Sequence, residues 1–143
     1  MIKFFLKVGD VETDVSFTPY LWGSNGLGRF IDVYVNSTDY GAGLHLLLIK
    51  LYVEGLFEVH GPDSIQIGNL SKIRQETSAA FTIRRSDFLD VSETERKRFL
   101  VEMVIKATDL VILKHGKKIS AFNFKLLKSN LLIATEYYLN SPL

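Results

Sequence analysis

The sequence predicts an α+β domain: an antiparallel sheet of about six or seven strands, followed by two C-terminal helices packed on one face. Three observations lead there. Over the first two thirds of the chain, apolar residues mostly recur at every second position, the period of a half-buried strand. At Ser92 the period changes to that of a helix. No repeat or linker divides the 143 residues, so residues 1–143 form a single domain with strands first and helices after.

The first element is a hairpin. Ile2, Phe4, Leu6 and Val8 alternate with Lys3, Phe5 and Lys7; Gly9-Asp10 turns the chain; Val11, Thr13 and Val15 then alternate with Glu12, Asp14 and Ser16. A glycine-rich loop from Thr18 to Gly28 holds Trp22, the only tryptophan. Arg29 to Asn36 reads as a strand with Ile31, Val33 and Val35 on one face. Leu44 to His60 is ambiguous by length alone. As a helix it spreads His45, Lys50 and Glu54 over half its circumference. As a strand it puts Leu47, Ile49, Leu51, Val53, Phe57 and Val59 on one face, with Lys50, Tyr52, Glu54, Glu58 and His60 on the other. The strand sorts the charges better, with a bend or bulge at Gly55. Gly61-Pro62-Asp63 is a turn, and Ser64–Ile67 and Ala80–Arg85 are short strands. Between them, Ser71 to Ser78 has one large apolar residue, Ile73, and reads as an edge strand or loop.

Ser92-Glu93-Thr94-Glu95 fits a capping box, which satisfies free backbone N–H groups at a helix start. Phe99, Leu100, Met103, Val104, Ala107, Leu110 and Val111 follow at helical spacing, and Gly116 is a stop. Ile119 to Leu139 reads as a second helix, with Phe122, Leu126, Ile133 and Tyr137 on one side. Leu127, Leu131 and Tyr138 lie on its other sides. Such a helix is buried on more than one face or packs against another chain, which leaves a homo-oligomer open. A hairpin of Leu110–Lys114 and Lys118–Phe124 around His115-Gly116 is the rival reading.

Composition narrows the chemistry. There is no cysteine, which removes disulfides, thiolate metal sites and cysteine nucleophiles together. His45, His60 and His115 have no metal-ligand spacing. His60, Asp63 and Ser64 are close in sequence, but a triad draws on distant segments and an oxyanion hole. Gly23-Ser24-Asn25-Gly26-Leu27-Gly28 is read as preceding a strand, where a phosphate-binding loop needs a helix. No catalytic residue, metal or cofactor is therefore expected, and no enzyme. The apolar stretch from Leu44 to Phe57 is shorter than the roughly 20 residues of a membrane helix. The N-terminus has no signal-peptide core. A cytoplasmic protein with no membrane contact is expected.

Charge is unevenly placed. Through residue 71, four bases face eight acids, a net of −4; the remainder carries thirteen bases and eight acids, a net of +5. From Leu110 to Thr135 there is no acid, while Lys114, Lys117, Lys118, Lys125 and Lys128 surround Phe122 and Phe124. Lysines among aromatics suit nucleic acid, but no arginine fork or aromatic RNA-binding motif accompanies them. The acidic, aromatic-bearing sheet region suits a basic protein partner instead, since opposite charge speeds encounter and aromatics anchor the contact. Its contact residues are expected to be Trp22, Asp39 and Tyr40 in the loops, with Tyr52, Glu54 and Glu58 on the long strand.

In size, composition and element order the chain resembles the immunity proteins of bacterial contact-dependent growth inhibition and related polymorphic toxin systems. The resemblance implies a cytoplasmic protein that binds one cognate protein toxin, often a nuclease, and blocks its active site or a surface beside it. It implies no particular functional residue. A nucleic-acid binder using the lysine-rich C-terminal third, or a small enzyme with an unrecognised site, are the alternatives.

Overall fold

The structure is a computed structural model and describes residues 1–8, 11–14, 26–53, 65–83 and 85–141. In chain order the elements are β1 (Ile2–Val8), β2 (Val11–Asp14), α1 (Leu27–Tyr34), β3 (Leu46–Val53), β4 (Gln66–Ile67), β5 (Glu76–Ile83), α2 (Arg85–Leu89), α3 (Glu93–His115) and α4 (Phe124–Asn140). A 3₁₀ turn, Gly116–Ile119, follows α3.

The class is α+β, but the sheet is mixed. Five strands run in the order β2-β1-β3-β5-β4. β1 pairs antiparallel with β2 as the hairpin pattern predicts, with Val8 opposite Val11. β1 and β3 are parallel, as are β3 and β5, and β4 pairs antiparallel with β5. This corrects the expectation of six or seven antiparallel strands. The cause lies at residues 29–36, which form most of helix α1 and not a strand. Ile31, Val33 and Val35 fit a strand face, but Leu27, Phe30, Ile31, Tyr34 and Val35 also fit a helical stripe. Leu27, Ile31 and Val35 are buried, whereas Val33 is 57% exposed. With α1 as the connection, β3 enters beside β1 in the same direction, which a tight hairpin cannot do.

β3 matches its predicted faces: Leu47, Ile49, Leu51 and Val53 are buried, and Lys50 and Tyr52 are half-buried on the other side. The expected bend at Gly55 lies outside the described residues. β5 begins at Glu76, so the end of the expected loop or edge strand 71–78 lies inside the sheet, between β3 and β4. Its inward residues Thr77 and Ala79 are small and buried. A strand built this way lacks a run of large apolar residues.

Ser92 Oγ accepts a hydrogen bond from Glu95 N at 3.2 Å, and α3 runs unbroken to His115, which excludes the rival hairpin. The second helix starts at Phe124 and not at Ile119, because Asn123 Oδ1 accepts from Leu126 N and caps it there. Its buried face is Leu127, Leu131, Ala134, Thr135 and Tyr138. Of the other apolar side, Phe122 packs in the connection, while Leu126, Ile133 and Tyr137 are exposed. α1 packs on β1, α3 on β4 and β5, and α4 lies against both helices. The buried side chains form one core between these helices and the sheet.

Candidate functional site

Strand alternation turns Leu46, Leu48, Lys50 and Tyr52 of β3, and Glu76, Ser78 and Ala80 of β5, away from the core. All seven are half-buried. The parallel register sets Leu46 beside Glu76, Leu48 beside Ser78 and Lys50 beside Ala80. A groove of about 360 Å³ opens here, lined in part by Leu48, Lys50, Asn69, Ser71, Arg74 and Glu76. Two bases face one carboxylate across it.

The tight turn at 71–75 closes one end of the groove. Ser71 holds it: its carbonyl accepts from Gln75 N at 2.7 Å, its Oγ from Arg74 N at 3.2 Å, and its own N–H donates to Glu76 O at 2.9 Å. Gln75 has φ 56°, the left-handed region that a non-glycine side chain adopts at a cost. Its carbonyl accepts from His45 N at 2.6 Å and Leu46 N at 3.2 Å, which ties the turn to the start of β3. Lys72, Ile73 and Arg74 project from this turn, and Ile73 is 96% exposed.

The far side of the groove is held by α3. Lys114 Nζ donates to Ile67 O at 2.9 Å. His115 Nε2 lies 2.8 Å from Gly68 O, so the neutral ring carries its proton there. Gly68 O also accepts from Thr77 Oγ1 at 3.1 Å. A Cβ on Gly68 would come within 2.6 Å of Ser78 Oγ, so glycine permits this close approach of β4 to β5.

The residues singled out from sequence fall in different places. Tyr52 stands on the groove face, two residues beyond Lys50. Asp39 is exposed in the loop before β3, where its Oδ1 accepts from Gly41 N at 2.9 Å. Tyr40 is a correction. It is only 9% exposed, its hydroxyl donates to Val35 O at 2.5 Å and accepts from Asn130 Nδ2 at 3.0 Å, and its ring packs on Phe122. It is an internal strut joining α1 to α4, not a surface anchor. The glycines near it have their own reason: a Cβ on Gly41 or Gly43 would run into Ala121 or Ile119. Trp22, Glu54 and Glu58 lie outside the described residues.

Other chemical readings find little support. Among the described residues no group of three histidine or acidic side chains is placed to hold a metal. No helix among them is long and apolar enough to cross a membrane. A helix does follow the glycine-rich loop, contrary to expectation: α1 starts at Leu27 after Gly26 at φ 88°. Its N-cap makes no side-chain hydrogen bond, and no Lys-Ser or Lys-Thr pair follows. The lysine-rich third is a rim around a core. Phe122 is buried and Phe124 partly so, their ring centres 4.7 Å apart, and Lys128 pairs with Asp109 at 2.7 Å.

A model of the family described as immunity protein 44 matches residues 3–136, from within β1 into α4. The chain belongs to the immunity protein 44 family. The resemblance drawn from size, composition and element order is thereby established as that of a polymorphic-toxin immunity protein. No curated protein and no solved structure matches the chain. As an immunity protein it has a protein partner, its cognate toxin. Sequence reasoning reached Tyr52 and Lys50 through strand alternation. It read Ser71 to Ser78 as an edge strand or loop around Ile73, and residues 72–75 are a turn that leads into β5.

Proposed function

We propose that this immunity protein acts in the cytoplasm by binding its toxin non-covalently, covering the toxin's active site or the surface beside it. It carries out no reaction of its own. The observation that supports this reading is the family match across residues 3–136, which makes toxin neutralisation the task of the whole domain. A nuclease delivered by contact-dependent growth inhibition is the toxin class that suits an acidic contact. A nuclease presents positive charge to phosphates, and an inhibitor with carboxylates competes for the same surface. Asp39 and Tyr52, with Trp22, Glu54 and Glu58, are the residues proposed to meet it. Glu54 and Glu58 follow Tyr52 by two and six residues along the chain.

The test uses the cognate toxin domain. Co-expression of the intact immunity protein should restore growth to cells that make the toxin. Reversing Glu54 and Glu58 to lysine should slow association by about tenfold or more and flatten its salt dependence, with little change in stability. If reversal of Lys125 and Lys128 abolishes binding and the acidic changes do nothing, the acidic contact is wrong.

A further inference from the structure

We infer that the turn at residues 71–75 is a second toxin-contact element, with Ile73 as its apolar anchor and Lys72, Arg74 and Lys50 as a basic collar that meets carboxylates on the toxin. The inference rests on the proposed toxin binding, but not on the acidic residues named above.

Four features meet at this place. Ile73 is almost fully exposed, and the core does not use it. A lone exposed apolar residue is ordinary on a protein surface. This one is carried on a turn whose backbone is fixed by hydrogen bonds at Ser71 and Gln75. A β-branched side chain on a fixed backbone has little freedom to lose, so burying it in a partner costs little entropy. The left-handed Gln75 is a strained conformation that the neighbouring strand over-determines, and such strain gathers at working sites.

Charge selects the partner. Lys72 and Arg74 flank Ile73 on the exposed turn, and Lys50 lies in the groove behind. Glu76 is the one acid lining the groove. An arginine fork and lysine ammonium groups at a solvent-open groove suit carboxylates. The projecting isoleucine and the adjoining groove form a knob and a hole, so the toxin surface is expected to offer an apolar socket beside an acidic side chain.

The geometry lets both contacts serve one toxin. Leu46, at the turn end of β3, and Tyr52 are six residues apart on the same face, roughly 20 Å at the rise of a strand. An interface of about 800 Å² per partner covers that span.

The experiment is a calorimetric and kinetic titration of the catalytically inactivated cognate toxin domain with the immunity protein. Its arms are wild type, Ile73→Asp, Ile73→Val, Lys72→Glu/Arg74→Glu and Glu54→Lys/Glu58→Lys. Ile73→Asp should weaken binding about thirtyfold or more, as loss of an interface anchor does, while Ile73→Val stays within about threefold. The Lys72/Arg74 reversal should slow association by about tenfold and flatten its salt dependence. Thermal midpoints should stay at the wild-type value, and Ile73→Ser replaces Ile73→Asp if they do not. If the turn variants bind like wild type while the Glu54/Glu58 reversal weakens binding, the inference is overturned and the neutralisation reading stands. If wild type itself does not bind the toxin, both fall.

Discussion

The ammonium group of Lys97 lies 4.6 Å from the centre of the Tyr138 ring. It also donates to the carbonyl and hydroxyl oxygens of Ser141, at 3.0 and 3.2 Å. Lys97 is 5% exposed and Tyr138 fully buried. This contact ties the first turns of α3 to the last turn of α4, the two elements that close the core away from the sheet. Burial lowers the Lys97 pKa, with Glu93 pulling it back up, and burial pushes that of Tyr138 well above the usual tyrosine range, with Arg96 opposing.

Lys97→Ala removes the ring contact, the two hydrogen bonds and the packed stem together. It should cost about 2 kcal/mol, the scale of a desolvated cation–π contact or a charged hydrogen bond. Urea unfolding of both proteins measures this. A cost below about 0.5 kcal/mol would mean that the tether does not hold the helix ends.

Tyr138 sets an alkaline limit. An unfolded tyrosine ionises near pH 10, as an order-of-magnitude reference, while the native Tyr138 keeps its proton above that. The native state then binds more protons than the unfolded state, so this contribution is intact below about pH 10 and declines as pH rises beyond it. Lys97 acts with the opposite sign, because its lowered native pKa makes stability rise up to the unfolded lysine value. Tyr138→Phe keeps the ring and removes the ionisable hydroxyl. Its stability should fall less steeply than wild type above pH 10; parallel curves in the two proteins would show that Tyr138 is not protected.

Ser92 caps a helix of 23 residues that spans the domain. Ser92→Ala leaves Glu95 N without its side-chain acceptor and should cost about 1 kcal/mol in denaturant titration. A change indistinguishable from zero would place the helix start elsewhere.

How much of this was legible in the sequence depended on whether local pattern and tertiary packing agreed. The Ser92 cap and the spacing after it point one way, and α3 followed. β1 and β2 were equally plain, since their alternation suits only a strand, while β3 also had a helical reading and was decided by how the strand sorts its charges. At α1 two periods overlap in the same residues. Tertiary contacts decide between them: Tyr34 stacks on Tyr137 at 4.8 Å between ring centres, and Phe30 meets Tyr138 edge-on at 6.3 Å. Both partners lie in α4, about a hundred residues away, and no local window contains them. The face of α4 was open in the sequence for the same reason, because its apolar residues surround the helix and its neighbours choose which ones are buried. Tyr40 was misread because its glycine neighbours suggested an open loop, when they mark close backbone packing. The contact surface was half legible: alternation reached Lys50 and Tyr52, while the shape of the turn around Ile73 depends on bonds to Glu76, His45 and Leu46.

The hold that α3 keeps on β4 bears on how the protein waits. A sheet edge with free carbonyls is a template for another chain's strand, and an inhibitor must accumulate before its target arrives. Here the edge strand is two residues long, and side chains from α3 engage the Ile67 and Gly68 carbonyls. A passing extended segment finds little backbone to pair with, so this edge is guarded against strand-to-strand aggregation. Lys114→Ala would free the Ile67 carbonyl, and its consequence would be seen first in shelf life at high concentration.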